Sequence, residues 1–477
     1  MASPSRETSS ASAGSDEAPP SLRSNNRSAA LTKGPVGKTL LLFSLPILAS
    51  SVLQSLNASI NAVWIGRLLG EEALTASANA NTLLFFLLGS VFGLGLAASV
   101  LIGQSLGAND RDLAKRTVGT SLVFFVLLAL VIALGGFILA PHMLVAMHTP
   151  SDALPYASAY LRVIFVALPG MYLYTFVMMI LRGAGDARTP FIFLAVSAVL
   201  DVGLNPVLIR GLGPIPALGI TGSALATFIA QWLALLGLII HLYRKKHFLR
   251  IARGDTRYLR IDGVVLRALI QKGVPMGLQM VVMSASMIAI IRLVNRYGST
   301  TTAAYGACFQ LWNYIQMPAM AIGSAVSSIA AQSVGAKLWD RVERVARLGI
   351  LYMVLMTGTL VLVVAIINRS AFALFLGSAS AAVEIAHHVN TIVSWSFVLF
   401  GVSMIFAGVV RATGAVWMPL LSLVVSLWIV RLPFAYLAVP HWGPDAIWWS
   451  FPLGSLTSLV MMALYYRFGR WRSARMI

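Results

Sequence analysis

Charged residues are scarce in this chain, and cysteine is nearly absent. Asp, Glu, Lys and Arg make up 11% of the 477 residues, whereas soluble domains carry about 25%. This scarcity argues against an ordinary soluble domain. The single cysteine, Cys308, excludes an intrachain disulfide and a metal site built from cysteines.

Motifs for ATP and zinc chemistry are also missing from the sequence. Neither a GxxxxGK[ST] phosphate loop nor an HExxH helix occurs. His387 and His388 are adjacent, so they would point to different sides of a helix. We therefore expect no enzyme activity, no cofactor and no metal centre, and transport driven by ATP is not expected of this chain alone.

Apolar residues are abundant, at 58% of the chain with a mean hydropathy of +0.82. They fall in twelve runs, each near the ~20 residues that a helix needs to cross a bilayer. The sequence thus predicts an all-α membrane protein with twelve transmembrane helices in two sets of six. The runs are Leu40–Ile65, Leu74–Ile102, Val118–Leu139, Leu161–Leu181, Phe191–Leu208, Leu218–Leu242, Leu269–Val294, Ala303–Ala331, Leu348–Ile367, Thr391–Val410, Trp417–Val439 and Ile447–Tyr466.

The formal net charge is +19, and the positions of the basic residues indicate an orientation. If the chain starts in the cytosol, 28 of its 35 Lys and Arg residues fall in cytosolic segments and seven fall elsewhere. Because cytosolic loops are enriched in Lys and Arg, this split predicts a multi-pass protein of the cell inner membrane with both termini cytoplasmic. A nucleic-acid partner is not expected, since no basic region stands apart from the spans.

The apolar pattern divides the chain into four regions. Residues 1–37 are rich in Ser, Ala and Asn and predict a disordered cytosolic tail. Residues 38–243 form the first six-helix lobe, and residues 269–477 form the second lobe with a short basic tail. The stretch 244–268 is a basic cytosolic linker between them.

An internal repeat relates the two lobes. Three features of the first half return 228 or 229 residues later. They are the Gln-Ser-x-Gly-Ala segments that start at Gln104 and Gln332, the Arg-x-x-Gly segments that start at Arg182 and Arg411, and the prolines Pro46 and Pro275. Six spans return the chain to the same side, so the copies are parallel and related by an axis along the membrane normal. The substrate path should lie between the lobes.

Asp201 is an acid in the middle of the apolar run 191–209. A carboxylate at that depth costs on the order of 2.5–3.5 kcal/mol, so such residues usually mark an ion or proton path. The alternative is a structural acid, neutralised by a polar neighbour such as Asn205 one turn later, that couples nothing.

Several of these segments together resemble the multidrug and toxic compound extrusion (MATE) family. The similar features are Pro46, the Ile65-Gly-Arg-Leu-Leu-Gly70 exit of the first helix, the Gln104 and Gln332 segments, Arg182-Gly-Ala-Gly-Asp186, Leu204-Asn-Pro-Val-Leu-Ile209 and Leu218-Gly-Ile-Thr-Gly222-Ser-Ala-Leu-Ala-Thr227. The resemblance implies a two-lobed V with a central cavity. It also implies export of small organic, lipophilic or cationic compounds by a monomer in the lipid bilayer, in exchange for H⁺ or Na⁺.

The sequence departs from the family pattern at two places. Many similar bacterial members carry an Asp in the first helix where this chain has Asn61, which cannot release a proton. In the fifth helix those members show Asn and then Asp four residues later, whereas Asp201 and Asn205 stand here in the opposite order. A spacing of four keeps both on one helix face, so the site is retained with its acid moved by one turn. A degenerate site without ion coupling is the alternative.

We hypothesise that Asp201 carries the coupling ion in the first lobe. Four polar residues of the first and fifth helices are candidates to hydrogen-bond it: Gln54, Asn57, Asn61 and Asn205. A single acid favours H⁺ as the ion, while Na⁺ at Asp201 with amide and backbone oxygens is the second candidate.

The second lobe has a cation near the equivalent place. The position 229 residues after Asp201 is Val430, and Arg431 follows it. Arg431 is predicted to pair with Asp201 across the cleft, to bind an anionic group, or to reach the outer interface. The wider set of candidate cavity residues is Tyr174, Met178, Met280, Met283, Met287, Arg292, Trp312 and Arg431, with packing as the alternative role. If Arg162, Arg292 and Arg431 line the cavity, the chain is instead a lipid-linked saccharide flippase.

Overall fold

The structure is a computed structural model that describes residues 30–146, 154–211, 216–377 and 380–477. Within these ranges the chain is nearly all helical and contains no strand. The thirteen α-helices are α1 Val36–Leu69, α2 Glu71–Gly107, α3 Arg111–Ala146, α4 Leu154–Gly183, α5 Arg188–Arg210, α6 Gly219–Arg244, α7 Gly263–Val294, α8 Ser299–Gly335, α9 Trp339–Leu376, α10 Ala382–Val393, α11 Ser396–Thr413, α12 Trp417–Trp442 and α13 Asp445–Phe468.

The all-α membrane fold is confirmed. Ten of these helices, by length and composition in the described residues, can cross a membrane. The other long helices are α2, with the shorter apolar stretch Val91–Gly107, and α8, which carries Ser, Thr and Gln residues along its length. The tenth predicted span, Thr391–Val410, begins in the last three residues of α10 and continues in α11, and the two helices are separated at Ser394 and Trp395. Twelve crossings thus account for the thirteen helices.

The two sets of six spans contact each other in a pattern that follows the repeat. Helix α2 packs on α7 and α1 packs on α8, and these two pairings are repeat equivalents of each other. The two repeat-equivalent helices α2 and α8 also pack together. Such reciprocal pairing is what a two-fold axis between parallel copies produces, and it places the junction of the lobes along the first two helices of each.

Helix α1 shows which end of that junction is closed. Its buried side chains are concentrated in its first half and are Val36, Leu40, Phe43, Ser44, Ile47, Ser50 and Ile65. Most side chains of its second half are exposed or half-buried. The lobes are therefore packed together near the face where α1 begins, which we call the basic face, and they separate towards the opposite face.

Parts of the predicted tail and of the predicted basic linker make specific contacts at the basic face. Leu31, inside the predicted tail, is 4% exposed, and its carbonyl accepts hydrogen bonds from Nε and Nη2 of Arg341. In the predicted linker, Asp255 binds Lys115 at 2.6 Å and Asp262 binds Arg116 at 3.2 Å. The linker thus docks on α3. Residues 1–29 of the predicted tail lie outside the described residues.

Candidate functional site

Asp201 lies on α5 and is 2% exposed, inside the first lobe. Its Oδ2 atom accepts hydrogen bonds from two amides of α1, Asn57 Nδ2 at 2.8 Å and Asn61 Nδ2 at 2.7 Å. Residues four apart share one face of a helix, so α1 presents both amides to one carboxylate oxygen. The predicted contact between the polar face of α1 and Asp201 is present.

The other carboxylate oxygen, Oδ1, is bound by α5 itself and by α6. It accepts from Asn205 Nδ2 at 3.1 Å and from Thr227 Oγ1 at 3.0 Å. Asn205 Oδ1 in turn accepts from Ser223 Oγ at 2.7 Å. Four donors therefore surround Asp201, and they account for the acceptor capacity of a carboxylate in a closed polar pocket.

Close packing of α5 against α6 brings these hydroxyls to the acid. A Cβ atom at Gly222 would lie 2.3 Å from the carbonyl oxygen of Leu208, so only glycine allows the two backbones to approach this closely. The neighbouring Ser223 and Thr227 are four residues apart and so face the same way. They place hydroxyl groups, rather than apolar side chains, against Asp201 and Asn205.

The structure brings together most of the predicted ion site. Asn57, Asn61 and Asn205 all bind Asp201, whereas Gln54 has an exposed side chain, and no hydrogen bond within the described chain joins it to Asp201. The expectation for Gln54 is thus not met. Sequence reasoning missed Thr227 and Ser223, although their four-residue spacing on an apolar helix was a signal.

The cross-cleft ion pair between Asp201 and Arg431 does not form. Across the described ranges, every ion pair of the protein lies elsewhere, and Asp201 has amide and hydroxyl partners only. A nearby cation would hold the carboxylate permanently ionised. Among the described residues no cation has this effect on Asp201.

Arg431 also does not reach the membrane interface. It lies within α12, at the end of the π-helical turn Val425–Arg431, and is 8% exposed. Its guanidinium carbon is 3.5 Å from the centroid of the Phe451 ring on α13. Its Nε and Nη2 atoms are buried without a hydrogen-bond partner among the described residues. Arg431 is therefore a cation enclosed within the second lobe.

Three of the predicted cavity residues lie in packed cores instead. Tyr174 and Met178 are each 6% exposed and belong to the apolar core that includes the first lobe. Trp312 is 1% exposed in the core of the second lobe, where its Nε1 donates to Asn390 Oδ1 at 3.0 Å. The helical spacing of these residues is typical of side chains that face a core, and in the structure all three pack within the cores.

The predicted cavity methionines of α7 are less buried than Tyr174, Met178 and Trp312. Met280, Met283 and Met287 are half-buried. A Cβ atom at Gly89 of α2 would lie 3.5 Å from the Met280 Cβ, so Met280 faces the other lobe. Arg292 is exposed near the end of α7, where a long basic side chain can reach the membrane surface. Met287 packs against the core of the second lobe, so Met280 and Met283 remain candidates for the cavity wall.

The two Gln-Ser-x-Gly-Ala segments cross at the basic face and join the lobes. Gln104 Nε2 donates to the Ala412 carbonyl oxygen at 2.6 Å, and Gln332 Nε2 donates to the Gly183 carbonyl oxygen at 3.0 Å. Cβ atoms at Gly107 and Gly335 would each lie 2.0 Å from the carbonyl oxygen of the opposite glutamine. The basic face is therefore closed by a symmetric pair of contacts.

These features together define a class of protein. Two similar helical lobes meet at one face and separate towards the other, and a buried acid sits near the middle of one span. In the described residues no cluster of His, Cys, Asp or Glu could hold a metal ion. The arrangement is that of a secondary membrane transporter, in which two repeats rock about a site near the midplane.

Comparison with known proteins gives the family. The MatE family profile matches residues 46–207 and 275–437, one match in each lobe. The chain is 38% identical over 439 residues to the probable multidrug resistance protein YoeA of Bacillus subtilis, covering 92% of this chain and 95% of that protein. It is 32% identical over 446 residues to the probable multidrug resistance protein YpnP of the same organism, covering 93% and 98%. The chain belongs to the MATE family of efflux transporters.

A solved structure supports the fold. An outward-facing MATE transporter of the MOP superfamily superposes with a TM-score of 0.85 at 20% identity, covering 92% of this chain and 97% of that one. At this identity the likeness concerns the fold alone. The chain is thus a multi-pass membrane transporter and not an enzyme.

Proposed function

We propose that the protein exports small lipophilic organic compounds in exchange for a proton bound at Asp201. The observation that carries this proposal is the pocket itself: an acid in the middle of a transmembrane helix, surrounded by amides and hydroxyls and unpaired with any cation in the described chain. Ionisable residues inside membranes usually serve ion or proton paths, because their burial is costly.

The amide of Asn57 supports a proton as the ion. Its Nδ2 atom donates to Asp201, while its Oδ1 atom is buried without a partner. Once Asp201 is protonated, it becomes a donor and needs an acceptor. A half-turn of the Asn57 amide would supply that acceptor, so the shell can satisfy both forms of the acid. Na⁺ is the second candidate ion, since amide oxygens could face it after similar rotations.

The free energy released by proton entry could concentrate a neutral lipophilic cargo more strongly than a cationic one. One proton moving down a 100 mV potential and one pH unit releases about 3.7 kcal/mol, which could concentrate a neutral solute a few hundred-fold. For a monovalent cation the charges cancel, leaving about 1.4 kcal/mol and about a tenfold gradient. The acids of the second lobe also lie near its two faces, at Asp340, Glu343, Glu384 and Asp445, away from the midplane.

The alternative of a saccharide flippase required three arginines to converge on the cavity. Arg162 is exposed, with its guanidinium carbon 5.5 Å from the Phe137 ring centroid. Arg292 is exposed at the end of α7, and only Arg431 is buried. Without convergence there is no polyanion site, so export of small compounds is the function we retain.

We further propose that the basic face lies in the cytosol of a bacterial cell, in the inner membrane, and that the protein works as a monomer. The basic residues gather at the face where the lobes are closed. In the conformation described here, the cleft would then open away from the cytosol. Binding and release of the proton would accompany a rocking of one lobe against the other.

Reconstitution into liposomes tests the coupling. We expect Asp201→Asn to abolish uptake of a neutral lipophilic dye into inverted vesicles energised by a proton gradient. Asp445→Asn, at an exposed acid that pairs with His388 at 2.9 Å, serves as the matched control and should transport normally. Full proton-driven transport by Asp201→Asn would contradict the proposal. Transport that follows a Na⁺ gradient at fixed pH would assign the ion to Na⁺ instead.

A further inference from the structure

Arg431 is the one guanidinium of the second lobe that the described chain places in the middle of a transmembrane helix without an ionic partner. It stands 14 residues after the start of α12 and 11 before its end. At 1.5 Å per residue it is about 21 Å from one end and about 16 Å from the other. Its burial therefore cannot be relieved by extension to water at either face.

The surroundings of Arg431 hold the side chain in place but do not neutralise it. Phe451 packs on the flat face of the guanidinium. A Cβ atom at Gly454 would lie 3.3 Å from the Arg431 Cβ and 3.5 Å from its Cδ. Glycine at this position therefore leaves the space that the Arg431 side chain occupies. The cation–π contact with Phe451 stabilises the flat face of the guanidinium, but the N–H groups at its edge still lack hydrogen-bond acceptors.

The open donors lie on one edge of the guanidinium. Nε and Nη2 are the two atoms without a partner, and both are buried. In arginine these two N–H groups lie side by side and match the two oxygens of a carboxylate or phosphate. The unpaired edge thus has the shape of an oxyanion receptor.

Among the described residues no acid pairs with this edge. Glu384 pairs with Arg369, and Asp445 pairs with His388. Asp340 and Glu343 stand in the first turns of α9, at the basic face. Asp201 already accepts four hydrogen bonds in the other lobe. A buried charge that no internal group compensates is destabilising, so a compensating ligand from outside is expected.

We infer that Arg431 is the binding site for an oxyanion, a carboxylate or phosphate carried by the exported compound. This inference rests on the proposed export function and defines its cargo as lipophilic with one acidic group. The π-helical turn that ends at Arg431 fits this role, since such turns are frequently found at functional sites. Met280 and Met283 of α7, which are half-buried, would receive the apolar part of the compound.

The inference changes the number of charges moved in each transport cycle. One proton entering against one monovalent anion leaving transfers two elementary charges in the same electrical direction. A neutral cargo transfers one, and a monovalent cation transfers none. The charge number measured from the reversal potential therefore distinguishes the three kinds of cargo independently of affinity.

Binding to the purified, full-length protein in detergent is the first test. The probes are 1-pyrenebutyrate and its methyl ester, which differ only in the charged group. We expect the carboxylate to bind at least tenfold more tightly than the ester. Arg431→Lys, which keeps the charge but removes the paired donors, should lose this preference, whereas Arg292→Lys at an exposed arginine should keep it. Equal binding of both probes by the unmodified protein would overturn the inference.

Two further experiments are needed. One distinguishes a free organic anion from a lipid headgroup, and the other distinguishes failure of this inference from failure of the proposed export function. If dioleoyl phosphatidylglycerol displaces the carboxylate probe and no two-charge current appears in liposomes, the site is for a lipid headgroup and the cargo assignment is wrong. Asp201→Asn should keep the carboxylate preference while losing proton-driven export. Loss of folding in Arg431→Lys would be recognised by its melting temperature, and Arg431→Gln, which removes the charge that is costly to bury, then provides a second variant that should also lose the preference.

Discussion

The two lobes are similar where they touch each other and different where each encloses a charge. At the basic face Gln104 and Gln332 make the same contact in opposite directions. At the middle of the membrane, the first lobe has an acid with four donors, and the second has a guanidinium edge without an acceptor in the described chain. Packing at a two-fold junction constrains both copies together, whereas a binding pocket inside one lobe can change alone.

The difference also separates the two binding tasks. A proton needs a carboxylate whose neighbours satisfy both of its forms, and the amides around Asp201 can do this. An organic anion needs an unsatisfied donor edge next to apolar surface, and Arg431 beside Phe451 provides it. Under the two proposals, one lobe binds the ion and the other binds the cargo, and the two charges do not neutralise each other directly.

The largest effect is expected from disturbing the symmetric contact. Gly107→Ala and Gly335→Ala each introduce a Cβ that would lie 2.0 Å from a backbone oxygen of the other lobe, which a side-chain rotation cannot relieve. We expect each variant to be less stable by about 1–3 kcal/mol, with a lower melting temperature and little transport. Because the contact is symmetric, the two variants should be alike.

Gly135→Ala is the control for this pair. Gly135 lies in α3, and a Cβ there would meet no atom within 4 Å. Alanine is favoured over glycine in a helix by about 1 kcal/mol, so this variant should be neutral or slightly more stable. Normal melting and transport in Gly107→Ala would show that the closed contact is not required by the fold.

A smaller effect is expected from removing one donor from the acid. Thr227→Val removes the hydroxyl that binds Asp201 Oδ1 at 3.0 Å and keeps the side-chain shape. A buried carboxylate left with one donor fewer costs about 1–3 kcal/mol, seen as a lower melting temperature together with slower proton-driven transport.

The second lobe offers a matched comparison for that variant. Thr357 is fully buried, and its Oγ1 has no partner among the described residues. Replacing an unpaired buried hydroxyl with a methyl group removes a penalty, so Thr357→Val should melt at the same or a higher temperature. A lower melting temperature in both variants would mean that the two hydroxyl groups contribute to packing and not to the binding of Asp201.

Much of the fold was predictable because membrane spans are read from apolar length. The repeat of Gln104 at Gln332 gave the relation between the lobes, and the four-residue spacing of Asp201 and Asn205 gave half of the ion site. Thr227 and Ser223 were not predicted, because their role depends on the close approach of α5 and α6 at Gly222, a contact between helices that periodicity does not specify.

The cavity residues were the least predictable part. Trp312 and Tyr174 have the same spacing whether they face a cavity or a core, and only the packing of neighbouring helices decides between the two. Arg431 was flagged by its depth, but its partner was not predictable: an ion pair with Asp201, a ligand and the interface were equally compatible with one sequence. The docking of the linker was not predictable, because it depends on ion pairs, hydrogen bonds and the burial of Tyr258 against a helix distant in sequence.

The smallest effect is expected at the segments that follow the sixth span of each lobe. The linker binds α3 through Asp255 and Lys115 at 2.6 Å, and the C-terminal segment binds α9 through Arg472 and Glu343 at 2.6 Å. Pairs this accessible to solvent contribute about 0–1 kcal/mol. Asp255→Asn and Glu343→Gln should therefore speed trypsin cleavage within their own segments by at most about fivefold, and 1 M salt should remove most of the difference.

The linker pair also has a defined pH dependence. The hydrogen bond from Lys115 lowers the pKa of the Asp255 carboxyl below its usual 3.8. The stability that this pair contributes is thus fully present above pH 3.8 and is lost as the pH falls through the lower folded value. Hydrogen exchange of linker amides, corrected for intrinsic rates, should show undocking only in that acidic range, and undocking near pH 6 would assign the contact to another group. The pair is therefore constant across physiological pH, and a change in linker docking near neutral pH would have to come from other groups.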